Sequence, residues 1–216
     1  MWGDDTAPVE SETSLQVAAP SATSEPTGPG ASTRAATATA APAPASACRD
    51  ATEAAEEVVD AARTGIDHWA KHVQARTDLI AGRITEDEMR AIWKATRLAG
   101  PEDVAELDQA VAAFEPQAGL CAQVEPSSVP AELSEPMARC FERSEAAATA
   151  IASGRSAVAD WAAHLENMAR FAAGDFDAAH AQHLWEAAWA KAPINIDAFR
   201  EADQALQSAP VCELAH

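Results

Sequence analysis

Trp69–Gly82, WAKHVQARTDLIAG, and Trp161–Gly174, WAAHLENMARFAAG, are one segment written twice. A shift of 92 positions lays Trp69 on Trp161, His72 on His164 and Gly82 on Gly174. The register holds outward in both directions, with Cys48 on Cys140, Trp93 on Trp185 and Pro101 on Pro193. With one residue removed near the end, Cys121 meets Cys212. Cys, Trp, His, Gly and Pro at matching offsets mark a duplicated structural unit.

Within the first unit, Val58, Ala62, Ile66, Trp69, Val73 and Ile80 recur at three- and four-residue steps. That spacing predicts one apolar stripe on a long helix over residues 47–81, ended by a left-handed Gly82. Thr85-Glu86-Asp87-Glu88 reads as a capping box that starts a second helix, carrying Met89, Ile92 and Trp93 and stopping near Gly100. Pro101, with Glu102 and Asp103 behind it, suits the first turn of a third helix that carries Val104, Leu107, Val111 and Phe114.

The second unit repeats the plan. A long helix over 136–173 carries Ala147, Ile151, Gly154, Val158, Trp161, Leu165 and Met168, and Gly174 closes it. Asp177 caps the next helix, which holds Leu184, Trp185 and Trp189. Pro193 breaks the chain again, and a last helix over 195–208 holds Ile196, Phe199, Ala202 and Leu206.

A helix of about 34 residues spans roughly 50 Å, and two shorter helices laid end to end return nearly that distance. Each unit is therefore expected to be a helical hairpin with a broken return arm, its cysteines adjacent at the open end. This favours the disulfides Cys48–Cys121 and Cys140–Cys212, with a cross-unit pairing left as the sign of an interleaved bundle. One hairpin buries only one face, so two should share a core around a pseudo-two-fold axis. The expected fold is all-α: hairpins over 47–121 and 136–216, a linker at 122–135 containing Glu-Pro-Ser-Ser-Val-Pro, and a disordered segment over 1–46. A monomer suffices to close that core.

The composition agrees. The 216-residue chain has six Trp, five Phe, no Tyr and a formal net charge of −19, and it is rich in Ala with no run of alternating β-branched residues. The acidic balance, with no basic face, argues against nucleic acid and against anionic membranes as partners. No apolar run is long enough to span a bilayer, so no transmembrane segment is expected.

Residues 1–46 are Ala-, Pro-, Ser- and Thr-rich, with Trp2 as the one aromatic; such a segment reads as a flexible to semi-extended tether. Four paired cysteines argue for an oxidising compartment. An export segment removed upstream of Met1 reconciles them with a chain that begins Met-Trp-Gly-Asp-Asp; the alternative is a cytosolic protein with free thiols. The acidic start and the tether resemble the mature end of secreted or lipid-anchored envelope proteins of high-GC Gram-positive bacteria. The resemblance is one of composition and covers the first 46 residues. It implies extracytoplasmic localisation and an upstream lipid anchor, and Met1 stands where those proteins carry the lipidated cysteine.

Candidate chemistry gathers on histidine. The repeated Trp-x-x-His places His72 and His164 beside the seam, where histidine commonly satisfies a core contact. A ligand set is conceivable in the second unit. His164 and Met168 share a face, as do His180 and His183, and the turn near Asp175 would bring these and Glu186 together. Imidazole with thioether suits copper, imidazole with carboxylate suits zinc, and His/Met pairs also hold haem. The first unit changes the set, with Arg76, Glu88 and Ala91 in place of Met168, His180 and His183; it offers His68, His72, Glu88 and Met89 instead. Trp189, opposite Arg97 in the other unit, is the candidate contact residue. No hydrolase, P-loop or dinucleotide signature is present, so no catalytic residue is assigned. The expected function is a non-enzymatic, extracytoplasmic binding or interaction protein on a tether, with an unknown protein or small ligand as partner. Copper, zinc or haem binding is the alternative, and an enzyme is a residual one.

Overall fold

The computed structural model describes residues 43–214. Residues 1–42 of the expected tether lie outside that range, and residues 43–46 belong to the first helix. The described chain is four helices: α1 Ala43–Ile80, α2 Glu86–Phe114, α3 Ser134–Ala173 and α4 Ala178–Ser208. Short 3-10 turns between residues 115 and 133 carry the linker from α2 to α3. Among the described residues there is no strand, and no helix is long and apolar enough to cross a membrane.

The helix ends form where local chemistry places them. Gly82 and Gly174 take φ of 68° and 83°, a left-handed conformation that carries no Cβ penalty only in glycine. Thr85 and Glu88 form the capping box, with Glu88 N–H donating to Thr85 Oγ1 (3.3 Å) and Thr85 N–H to Glu88 Oε2 (2.7 Å). Asp177 accepts from His180 N–H at 2.8 Å. Each hairpin is closed at its open end by its own disulfide, Cys48–Cys121 and Cys140–Cys212. Cross-links of this kind belong to an oxidising environment.

Both return arms differ from expectation in one respect. Each is a single helix that runs through its proline. Pro101 and Pro193 remove one backbone donor apiece, yet the helices continue because buried contacts flank the gap. In α2 these are Met89 and Thr96 before Pro101, and Asp103 and Leu107 after it. Gly100 is likewise no stop signal. A Cβ there would lie 2.5 Å from Leu165 Cδ1 and 3.0 Å from Trp161 Cζ2, so glycine makes room for side chains of α3.

The hairpins dock through α1 and α3, and three residues along that seam meet their own counterparts. Trp69 stacks on Trp161 with centroids 5.0 Å apart, and the His72 and His164 rings lie 5.1 Å apart. A Cβ on Gly154 would come within 2.9 Å of that of Ala62, the residue 92 positions earlier. Counterpart against counterpart along two helices means that α1 and α3 run parallel about a pseudo-two-fold axis. Small residues set the close approach at Ala62/Gly154, and about two to three turns later the space between the helices is filled by four large rings.

Two apolar clusters result. The main one runs from Ala55 through Val58, Ile66, Trp69, Trp161 and Phe199. A smaller one surrounds both disulfides with Ala45, Val124, Met137 and Leu214. Cation–carboxylate pairs tie the hairpins at their polar margin: Arg143 to Glu56 (2.5 and 2.8 Å) and Arg63 to Asp203 (2.7 Å). Arg143 also donates to the Leu206 and Ala209 carbonyls, which end α4.

Candidate functional site

The duplicated Trp-x-x-His builds a box of rings on the pseudo-two-fold axis. Trp69 and Trp161 are inaccessible to solvent, and His72 and His164 are 1% and 2% exposed. Trp93 stacks on His72 at 5.4 Å, and Trp189 lies 6.1 Å from Trp93 and 6.5 Å from His164. The Arg76 guanidinium sits 3.7 Å above the Trp189 ring, a cation–π contact over the mouth of the box. Trp189 is half-buried and part of this stack.

Burial holds both imidazoles neutral. Desolvation lowers the His72 pKa to about 3, with His164 and Arg97 adding repulsion, and desolvation lowers His164 to about 4. Their polar partners are unequal. His72 Nδ1 lies 2.9 Å from Thr96 Oγ1, whereas His164 Nδ1 has no hydrogen-bond partner. The reason is legible in the repeat, since position 188, the counterpart of Thr96, is alanine. Ala188→Thr should therefore give His164 the missing bond and stabilise the fold by about 1 kcal/mol. Urea denaturation at pH 7 measures this, and a fall in midpoint would show that the hydroxyl cannot reach the ring. Thr96→Ala should lower stability by a similar amount.

A second polar pair has exchanged its partners between the units. In the first hairpin the buried Asp103 of α2 lies 2.9 Å from His68 Nδ1 of α1 and accepts from Trp161 Nε1 at 3.4 Å. In the second, the carboxylate is on the long helix instead. Asp160, the counterpart of His68, accepts from Asn195 (2.5 Å), the counterpart of Asp103, and from Lys191 (2.6 Å). Both versions lock a long helix to its return arm through one carboxylate. The His68 side chain is 29% exposed.

The five residues expected to converge on a metal are not brought together. His164 is sealed in the box and Met168 is half-buried, while His180, His183 and Glu186 are exposed on α4. The phase of α4 explains it: Ala181, Trp185, Ala188 and Ala192 take the inner face and turn 180, 183 and 186 outward. His180 instead rests against Phe176 (5.0 Å), and Glu186 accepts from Gln182. In the first hairpin, Glu88 is committed to Thr85 and Met89 is buried. Among the described residues no group of three or more His, Cys, Asp or Glu is placed to hold a metal ion.

Space for a ligand lies outside the box, in two clefts that sequence patterns did not indicate. One, of about 620 Å³, follows α1 between α2 and α4, with Val73, Ile92 and Ile196 among its lining and Lys71, Asp78 and Arg200 at its polar margin. The other, of about 520 Å³, opens at the disulfide end between Phe114 and Phe141. No protein-family model, curated protein or solved structure matches the chain.

Proposed function

We propose that this chain is a non-enzymatic interaction module that works outside the cytoplasm, carried on its N-terminal Ala/Pro/Ser/Thr-rich segment as a tether to the cell envelope. The observation that carries this reading is the division of labour between interior and surface. Trp69, Trp161, His72 and His164 fill the core, and the room for a ligand is at clefts on a scaffold stapled at one end by two disulfides. A rigid bundle with preformed clefts binds without first ordering itself, which lowers the cost of association. The envelope location is supported by the cysteine pairing and by the composition of residues 1–46. Protein isolated from its native cells, alkylated under denaturing conditions and weighed intact, should carry no alkyl groups. Four modified thiols would remove the exported reading.

A further inference from the structure

The cleft at the disulfide end lies where the two apolar clusters fail to meet. Phe114 packs against the main core and Phe141 against the disulfide cluster, and both rings stay half-buried where they line the gap. Nothing lies within 4 Å of a Cβ built on Gly119, at the cleft's edge. The cleft lies between the hairpins, and the repeat shows that the position related to it by the pseudo-two-fold is built from different residues. The counterpart of Phe114 is Leu206, 3% exposed, and the counterpart of Phe141 is Arg49, a charged side chain where the cleft has a ring. About 520 Å³ falls within the range of pockets that hold ligands.

The exposed residues around the cleft are mostly acidic. Residues 98–133, from the second half of α2 through the linker, contain seven Asp or Glu, of which Asp103 is buried, and no Lys or Arg. Glu115 and Glu125 adjoin the lining residues Phe114, Val124 and Pro126, while Glu145 lines the opening itself and Glu142 adjoins Phe141. All four are exposed, and none has a cationic partner among the described residues. The nearest arginines along α3 are committed, Arg139 to Glu135 and Arg143 to Glu56. Apolar walls under a ring of unneutralised carboxylates complement one chemistry, an apolar side chain flanked by cations.

We propose that this cleft receives a short basic peptide segment of a partner protein, an apolar side chain seated between Phe114 and Phe141 and the flanking Lys or Arg on the rim carboxylates. This deepens, and rests on, the reading of the chain as an interaction module.

The test uses the full, disulfide-bonded chain and three peptides: Lys-Lys-Phe-Leu-Lys-Lys, Glu-Glu-Phe-Leu-Glu-Glu and Lys-Lys-Ser-Ser-Lys-Lys. The first should bind at least about tenfold more tightly than either of the others and shift the amide resonances of Phe114, Gly119, Val124, Phe141 and Glu145. Glu115→Gln with Glu145→Gln should weaken it about fivefold and flatten its salt dependence. Ala148→Trp, which fills the cleft, should abolish it while the near-ultraviolet circular dichroism stays that of the parent. Ser144→Arg, which adds a competing cation without bulk in the core, serves if the tryptophan variant does not fold. Equal binding of the serine peptide, equal binding of the acidic peptide, shifts confined to another surface, or no shift at millimolar peptide would each overturn the proposal. So would cleft resonances that move with protein concentration alone, because the occupant would then be a second copy. Failure here with all four cysteines oxidised in native material sinks only the cleft, whereas free thiols sink the exported module.

Discussion

Acidification from pH 7 toward pH 4 is expected to destabilise the bundle steeply. His72 and His164 titrate near 6.5 when the chain is unfolded, but burial lowers them to about 3 and about 4 in the fold. Between those limits the unfolded state binds protons that the folded state refuses. Stability is therefore fully present above pH 6.5 and is lost as the pH falls toward the folded values. Two excluded protons correspond to a slope that approaches about 2.7 kcal/mol per pH unit near pH 5 and is shallower at pH 6 and at pH 4. For a domain of ordinary stability that is enough to unfold it. Urea midpoints across this range give the slope directly. His164→Phe, which keeps a ring in the box and removes one proton site, should halve it; an unchanged slope would show that other groups govern the transition. The disulfides lie within hairpins and not between them, so the helices of each hairpin should hold together longest. Tryptophan fluorescence, which reports the box between the hairpins, should change before the far-ultraviolet signal does.

Loss of the Cys48–Cys121 bond is the second large effect. It closes a separation of 73 residues, and in the chain-entropy model its removal through paired Cys→Ala substitutions should lower stability by about 4 kcal/mol. That corresponds to a fall in Tm on the order of 10 °C. Cys140–Cys212 spans 72 residues, so chain entropy predicts the same loss. The surroundings differ, because Cys48 and Cys121 are both buried whereas Cys212 is half-buried on the non-helical segment after α4. Differential scanning calorimetry of the two paired variants separates the contributions. Equal losses would leave loop closure as the whole effect, and a larger loss at Cys48–Cys121 would measure the packing around it. A loss well under about 1 kcal/mol for either would mean that the hairpin closes without its staple.

Local and repeated features of this protein could be read in its sequence, because each depends on a few neighbouring residues or on their duplication. Helix ends at Gly82, Thr85, Gly174 and Asp177 follow from backbone conformation and capping chemistry alone. The hairpins follow from helix length, and the pairing of Cys48 with Cys121 and Cys140 with Cys212 from where those lengths end. Continuity through Pro101 was not legible, since a missing donor breaks a helix only when nothing else holds the two sides together. The facing of α4 was not legible either. Alanine is spread around that helix and marks no face, so only contact with α3 decides that His180, His183 and Glu186 turn outward. The way the hairpins meet was the deepest gap. A repeat specifies two similar halves, but their docking is a choice among faces, settled by the close approach at Ala62 and Gly154 and by the rings that stack beyond it. That docking is what sealed His164 in the interior and left the cleft between Phe114 and Phe141 open. Secondary structure and cross-links are sums of short-range preferences, whereas burial and clefts exist only after surfaces distant in the chain have been pressed together.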